Sequence, residues 1–527
     1  MPNRKKQRAQ GNQKAWQLHQ TTKARAEGIG EVSSKRPGKS SKSKILWNPA
    51  DVVLLPGVTT TLAPATCLPV VESLRLSKIT KLRKILGRAC TAQGTVEPIF
   101  AFERWLFRGR LRDESRAERR CDVLLPSGAA ARADQGLAED LQRAHMSAEA
   151  AHGAALELAT ASAAAIAEVA AATKAERRRR KSGQQMAIVV AEHRWTVDYA
   201  IPLRGGGSAR RILKLNVGHM HKLQALYKRY SAGAAHGGDG TSVSALSPAA
   251  LADFHERTFC MLCRYHALLG HGFQAALSEH GFEALTRHLG VTFECFASPL
   301  NCHFGRYCSA FPDVDVAFGS TGSFFDEDTF APTSGSFEAN PPFVPDLMAA
   351  MVRRIDILLT AAAGRDGQPS TGPLSFCVIV PGWTETEAWS LLTSSPFCRA
   401  KWLVSKADHG FCDGAQHQRQ DRYRESPFDT AIFVLQNAAG AARWPTNAAA
   451  ERALRVALSE AVPTPAAKAR QLRDDRGAAD TDGGWSGAVA AWAPAKADGM
   501  EGIGRSGKGK RKRKRSDEGI AAGQHAR

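Results

Sequence analysis

Gly335-Ser336-Phe337-Glu338-Ala339-Asn340-Pro341-Pro342-Phe343-Val344-Pro345-Asp346-Leu347 is the stretch on which the fold turns. Its first five residues predict a short strand. The tandem prolines cannot donate to a ladder and they fix the backbone, so the strand ends before Asn340. From Pro345 to Leu359 the apolar side chains Leu347, Met351, Ile355 and Leu358 recur at helical spacing, which predicts a helix. A strand, a rigid turn and a helix in immediate succession form the repeating unit of an α/β domain.

Outward from this unit the same rhythm continues. Val291–Phe296, Leu374–Val380, Lys401–Val404 and Thr430–Leu435 read as short apolar strands, and the alternation predicts an α/β domain with a largely parallel sheet over residues 291–450. Before it, Ser247 stands at an N-cap position and Pro248 at the first helical one. Leu251, Phe254, Thr258, Met261, Tyr265 and Leu268 then form an amphipathic face. Residues 49–290, which contain this helix, form the segment before the α/β domain. Within it, residues 128–185 are alanine-rich and end in Glu176-Arg177-Arg178-Arg179-Arg180-Lys181. Alanine favours helix, but an alanine face buries little area, so a marginal helix or an insertion outside the core is expected, its basic end a solvated charge run.

The ends are different in kind. Residues 1–48 are rich in Lys, Arg, Ser, Gln and Gly and predict a disordered basic tail. Residues 451–527 read as a low-complexity tail, in which Lys508 to Arg515 is unbroken Lys and Arg except for Gly509. Such a run fits a nuclear-import signal or a nucleic-acid clamp, and a nuclear location is expected.

The chain has 527 residues, 43% of them hydrophobic, and a formal net charge of +20 with a pI near 9.7. That excess favours a polyanionic partner. The N-terminus carries Arg4, Lys5, Lys6 and Arg8 without an apolar signal core, and no unbroken apolar run of spanning length is seen, so an intracellular protein without a membrane partner is expected. The eleven cysteines sit mostly in apolar segments and suit reduced, buried thiols. Cys260-x-x-Cys263 with His266 has metal-like spacing, but it lies inside the amphipathic helix without a second ligand pair, so no metal is expected. Cys308 and Ser309 near His303 lack a base and an orienting acid for covalent catalysis.

The loop Asn340-Pro341-Pro342-Phe343 sits where open α/β sheets bind ligands, at the carboxyl end of a strand. Its residue types suit one chemistry in particular. The exocyclic N6 of adenine has its lone pair delocalised into the ring, so its hydrogens must be accepted before it can attack a methyl sulfonium. The Asn340 side-chain oxygen and the Pro341 carbonyl can accept them, and Phe343 offers a stacking face. The structural alternative is a rigid turn with Asn340 as a helix cap.

Together with Phe293-Glu294-Cys295-Phe296-Ala297-Ser298-Pro299-Leu300-Asn301-Cys302 and Tyr307-Cys308-Ser309-Ala310-Phe311-Pro312-Asp313, this loop resembles the family of the phosphorylated CTD-interacting factor. The likeness runs with gaps from about Phe102 to Pro445 and includes Phe102-Glu103-Arg104-Trp105-Leu106 and Leu124-Leu125-Pro126-Ser127. It implies a Rossmann-like methyltransferase domain at 291–450 with an accessory, mainly helical domain at 49–290. The activity it implies is S-adenosylmethionine-dependent N6-methylation of a 2′-O-methyladenosine beside the 7-methylguanosine cap of mRNA. On matching positions, Asn340, Pro341, Pro342 and Phe343 would be the catalytic and cofactor-contacting loop. Arg104, Trp383, Glu385 and His409 would line the cap and substrate cleft, with Asp408 where the family shows a Glu.

The usual glycine-rich cofactor turn of this enzyme class is not seen. Ser298 and Asn301 are the best substitutes, and Asp313 and Asp315 are candidate contacts farther along. The alternative for all of them is a turn or capping role. Pro345 replaces an expected acid, with Asp346 beside it, and an insertion around Phe324–Thr329 lengthens a loop near the site. Trp16 and Trp47 lie too far apart for a WW domain, so none is seen and binding to the RNA polymerase II tail is doubtful on this ground. Two further readings stay open: a non-catalytic RNA-binding relative, and the same chemistry on internal RNA or DNA adenines.

Overall fold

The computed structural model describes residues 55–60, 66–98, 100–114, 122–126, 133–184, 186–202, 210–231, 246–268, 274–363, 372–419, 421–465 and 468–469. The tail expected at 1–48 and the basic run at 508–515 lie outside them. Met1–Leu46 and Trp47–Arg527 are separate units, and every described residue belongs to the second.

Its helical part contains Pro69–Ala92, Ala101–Glu114, Gln135–Arg143, Ala148–Lys181, Val217–Tyr230 and Pro248–Ala267. It is not helical throughout. β1 (Val189–Glu192), β2 (Thr196–Pro202) and β3 (Arg210–Asn216) form a three-stranded antiparallel sheet inside it. Pro248–Ala267 starts as its sequence predicts, with the Ser247 side chain accepting from the Ala250 amide.

The alanine-rich segment is helical, as one of its two readings expects, but it is neither marginal nor outside the core. Ala148–Lys181 is one 34-residue helix, capped by Ser147, and Ala151, Ala155, Leu158, Ser162, Ala165 and Val169 are buried. Those positions recur every three or four residues, and their apolar members belong to the same core as Leu76, Ile79 and Leu82 of Pro69–Ala92. Each alanine buries little, but small side chains permit close approach, and the contact repeats over many turns. By length and composition the helix is also apolar enough to cross a membrane, contrary to the sequence expectation; its alanines supply that hydropathy, while its buried face is committed to protein.

The second part is built on a mixed seven-stranded sheet. Its strands are β4 (Phe293–Ala297), β5 (Tyr307–Ser309), β6 (Ser320–Gly322), β7 (Gly335–Ala339), β8 (Leu374–Pro381), β9 (Cys398–Val404) and β12 (Thr430–Gln436). A separate hairpin pairs β10 (Gly410–Cys412) with β11 (Tyr423–Glu425). The sheet order is β6-β5-β4-β7-β8-β12-β9. Strands β4 to β8 run parallel, and β12 is antiparallel to both β8 and β9.

β7, β8 and β12 are buried at every position, and β8 and β12 accordingly read as nearly continuous apolar runs, whereas β7 carries the buried polar side chains Ser336 and Glu338. Alternate side chains go to opposite faces. Phe376, Val378, Phe433 and Leu435 pack with Met351, Ile355 and Leu359 of the helix Pro345–Ala363. Cys377, Ile379, Ile432 and Val434 pack with Leu285 of Glu279–Leu289 and with Leu454 and Leu458 of Ala448–Ser459. That last helix corrects the expected tail: residues from 451 on still cover a face of the sheet, started by the Asn447 cap.

A chain of ion pairs, buried except at its Asp313 end, runs through the helical part to the short helix Pro312–Asp315 that follows β5. Asp122 pairs with Arg75 at 3.0 Å, Arg75 with Glu72 at 2.7 Å, Glu72 with Arg264 at 2.9 Å and Arg264 with Asp313 at 2.5 Å. Burial alone would raise the Glu72 carboxyl, but Arg264 and Arg75 outweigh it and hold it down at about 2.

Candidate functional site

β4 and β7 lie side by side in parallel register, Phe293 opposite Phe337 and Glu294 opposite Glu338. From this pair the chain order proceeds in opposite directions, to β5 and β6 on one side and β8 on the other. Such a switch point opens a crevice outside the carboxyl ends of the strands. Here its lining includes Ala297 at the end of β4 with Ser298 and Asn301 after it, Ser309 at the end of β5 with Ala310 after it, and Asn340 and Pro342 after β7. Phe107, Arg110 and Leu111 of Ala101–Glu114, together with Tyr265, close it from the helical part.

Asn340 is half-buried, and its Nδ2 donates to the Ala275 carbonyl at 3.2 Å. That anchor is itself fixed, because Ala276 exchanges backbone hydrogen bonds with Cys412 at 3.1 and 2.8 Å. With Nδ2 so engaged, the amide Oδ1 is the remaining acceptor, and among the described residues it takes no hydrogen bond. The Pro341 carbonyl likewise takes none, whereas the Pro342 carbonyl accepts the Val344 amide at 2.7 Å and closes a tight turn into the helix. Asn340 therefore does not cap that helix. Phe343 stands edge-on to Trp383, ring centroids 6.3 Å apart, and Trp383 stands edge-on to Phe428 at 5.2 Å. These rings make an aromatic row at the carboxyl end of β8, next to the loop.

Ser298 and Asn301 line the crevice and also cap its turn. The Asn301 Oδ1 accepts from the Ser298 amide at 2.7 Å and its hydroxyl at 2.8 Å, while Nδ2 donates to the Gln274 carbonyl at 3.0 Å. Asp315 lies one hydrogen bond behind the wall, accepting from the Tyr265 hydroxyl at 2.5 Å. Burial pushes its carboxyl up to about 7, although hydrogen bonds from Tyr265 and Ser309 oppose the shift. Its other oxygen, Oδ1, is buried and takes no hydrogen bond among the described residues. Asp313 is taken up in the ion pair with Arg264.

Beneath the crevice, Glu294 accepts from the amides of His303 at 2.8 Å and Phe304 at 2.9 Å, and burial lifts it to about 7. Burial and then the neighbouring Glu294 charge raise Glu338 well above the usual carboxylate range. The pair therefore retains a proton near neutrality.

The remaining expected residues are dispersed. Arg104 donates to Asp140 at 2.9 Å in the helical part. His409 is fully buried, Nδ1 donating to the Ser405 carbonyl at 2.6 Å and Nε2 accepting from the Thr430 hydroxyl at 2.8 Å; burial lowers its pKa. Glu385 and Asp408 are exposed. Asp346, beside Pro345, faces Arg108 at 3.7 Å. In the insertion, Phe324 and Phe325 line the crevice, and Arg354 holds the Phe324 carbonyl at 2.8 Å and Glu327 at 3.2 Å. Sequence reasoning missed Phe107, Arg110, Gln274 and Ala275 as lining, and it counted Tyr265 only as part of an apolar helix face. Cys260 and Cys263 are fully buried thiols raised by burial, and among the described residues no cluster of three or more His, Cys, Asp or Glu is placed to hold a metal.

The family model described as the phosphorylated CTD interacting factor 1 WW domain matches residues 222–414. This corrects the expectation that no WW domain is seen, and with it the ground for doubting RNA polymerase II tail binding. The matched residues lie far from Trp16 and Trp47. They run from the helix Val217–Tyr230 to just past β10 and contain the Asn340–Phe343 loop, Trp383 and His409. Two curated relatives are named mRNA (2′-O-methyladenosine-N(6)-)-methyltransferase, 43% identical in Homo sapiens and 42% in Mus musculus. Each match covers 211 residues, which is 38% of this chain and 28% of the relative's length. Over these residues the chain is similar to the phosphorylated CTD-interacting factor family, the one its loop and flanking strings resemble.

Proposed function

We propose that this chain is an S-adenosylmethionine-dependent methyltransferase acting on N6 of the 2′-O-methyladenosine beside the 7-methylguanosine cap of mRNA, in the nucleus. The observation that carries the reading is the Asn340-Pro341 pair of open acceptors at the switch point of the sheet. Numbered along the sheet-forming chain, the strands run 3-2-1-4-5-7-6, which supports a Rossmann-like methyltransferase domain. Relatives bearing the name of that activity support the substrate class.

The crevice fits a nucleoside-bearing donor. Phe296, Phe324 and Phe325 offer apolar ring faces, with centroids 4.8 to 6.1 Å apart, and Asp315 Oδ1, just behind the wall, is a buried acceptor that takes no hydrogen bond among the described residues. When bound, S-adenosylmethionine supplies the electrophilic methyl group. The chain supplies orientation. Asn340 Oδ1 and the Pro341 carbonyl accept the two N6 hydrogens and so direct the nitrogen lone pair as it becomes pyramidal. The Ala275 carbonyl fixes which end of the Asn340 amide faces the substrate, and Phe343 offers its ring face to the base. No strong base is needed to start the step, because the amine loses its proton only after the new bond forms.

Incubating the full chain with labelled S-adenosylmethionine and a capped RNA that begins with 2′-O-methyladenosine tests the reading. Nucleoside analysis is expected to show N6,2′-O-dimethyladenosine, with little label on the uncapped RNA. Equal labelling of uncapped RNA or DNA would remove the cap from the proposal, and no labelling of any substrate would sink the activity.

A further inference from the structure

We propose that the basic end of the helix Ala148–Lys181 is a landing surface for the backbone of the RNA downstream of the reacting nucleotide. The proposal rests on the RNA reading above and extends it to a part of the chain outside the matched residues 222–414. Lys174, Arg177, Arg178 and Lys181 fall at i, i+3, i+4 and i+7, so they form one stripe along the helix. All four are exposed, and among the described residues their side chains enter no ion pair. Arg180, off the stripe, is paired with Glu256.

The stripe does not project from a flat surface. It lines a groove whose floor is Ile166, Val169 and Ala170 and whose far wall carries Arg75 and Asp122. Those two charges neutralise each other, and Arg75 is further held by Glu72, so among the described residues the uncompensated charge lining the groove is that of the stripe. A helix carboxyl end carries only about half a negative charge, which balances one cation at most and leaves most of the stripe uncompensated. A recess lined by one sign of charge concentrates its counterions. A phosphodiester chain satisfies such a groove, with phosphates along the stripe and a base face on the apolar floor. A bilayer is broader than the recess and would touch only its rim.

The groove is also tied to the crevice. Asp122 and Arg75 in its wall begin the ion chain through Glu72 and Arg264 to Asp313, two residues from Asp315 behind the crevice. Stripe and reacting loop are thus held in one fixed relation, as a strand emerging from the crevice requires.

The test uses the full chain with Lys174, Arg177, Arg178 and Lys181 all changed to Gln, which removes charge and keeps helix propensity. Binding of a fluorescent RNA of about 20 nucleotides is followed by anisotropy against salt. With four contacts at about 0.7 each on a single strand, the slope of log affinity against log salt is expected to become shallower by about 3, and low-salt affinity to fall at least about tenfold. The KM for a long capped RNA should rise in step, while kcat and the kinetics on a capped dinucleotide stay unchanged. A charge-keeping variant, Arg177→Lys with Arg178→Lys, should bind nearly as wild type. Unchanged slope and affinity in the glutamine variant, melting as wild type, would overturn the proposal. So would loss confined to binding of anionic vesicles or of an acidic peptide. If the wild type methylates nothing, the activity reading fails on its own, and the anisotropy series still decides the groove.

Discussion

Strand β7 with its loop and the helix Ala148–Lys181 lie in the same unit, yet they bury themselves by opposite means. β7 is five residues long and buried throughout, and Phe337 alone touches the rings of Phe293, Phe330 and Phe376. The helix spreads its burial over 34 residues and mostly over alanines. A few large side chains announce burial in a sequence; many small ones at helical spacing do not, although both end in a core. Function divides along the same line. The strand presents a rigid loop to a crevice, while the helix leaves a long solvent face on which charge can be arranged.

The contrast breaks if the helix proves dispensable. Phe337→Ala should cost about 3–5 kcal/mol and Leu158→Ala about 2–5 kcal/mol, since both side chains are fully buried and each deletion leaves a cavity. Denaturant unfolding of the two variants measures this. If Leu158→Ala left stability unchanged, the helix would be an appendage after all, as its composition suggests.

Asp315 sharpens the contrast from the side of the crevice. Its folded pKa of about 7 lies above the ordinary 3.8, so the folded state holds the proton more tightly. The penalty of its buried charge is therefore absent at low pH, grows as pH rises from about 4 to about 7, and then levels off. Asp315→Asn lacks that penalty, and its stability advantage over wild type should widen across this window to roughly 4 kcal/mol at most. If the same variant also loses affinity for S-adenosylmethionine, Oδ1 is a ligand contact; unchanged affinity would leave Asp315 a purely structural hydrogen-bond partner of Tyr265. Parallel melting curves from pH 4 to 8 for both proteins provide the check.

Asn340→Ala should leave the fold nearly intact, because the residue is half-buried and its anchor to Ala275 is one neutral hydrogen bond, worth about 1 kcal/mol. Turnover should fall by roughly a hundredfold, the effect of one lost acceptor of about 3 kcal/mol in a dry site. Single-turnover methylation on capped RNA reads this directly, and near-wild-type rates would remove the loop from the mechanism.

The sequence was most informative where an apolar run or a helical period is bounded by prolines and polar residues. β8 and β12 begin at Leu374 and Thr430 as expected and extend only a residue past their predicted ends, and the helix from Pro345 starts where the prolines force it to. The antiparallel direction of β12 was not legible, because a strand buried on both faces carries the same apolar run whichever way it points. β5 and β6 are three residues each, too short for a period to show. The crevice was half legible: Asn340, Ser298 and Asn301 follow strands and were named from the chain. Tyr265 comes from a helix whose apolar face reads as ordinary core, Phe107 and Arg110 come from a helix that the sequence reading did not assign, and only the packing of those helices onto the sheet turns them toward the site. His409 shows the converse, since Ser405 and Thr430 occupy both of its nitrogens in the fold.

The smallest expected effect concerns the aromatic row beside the loop. Phe343 is half-buried and touches Trp383 edge-on, so Phe343→Ala removes one ring from a row that Trp383 and Phe428 still hold together. Stability should change less than for Phe337→Ala, because the site opens to solvent and leaves no closed cavity. If the ring is the stacking face for the target base, its loss should weaken substrate positioning by about 1–3 kcal/mol, visible in kcat/KM on capped RNA. Phe343→Tyr keeps the face and should restore most of the loss, whereas Phe343→Leu keeps apolar bulk without a π-face and should not. A leucine variant as active as wild type would mean that the ring only fills space against Trp383, and the stacking role would pass to another residue of the row.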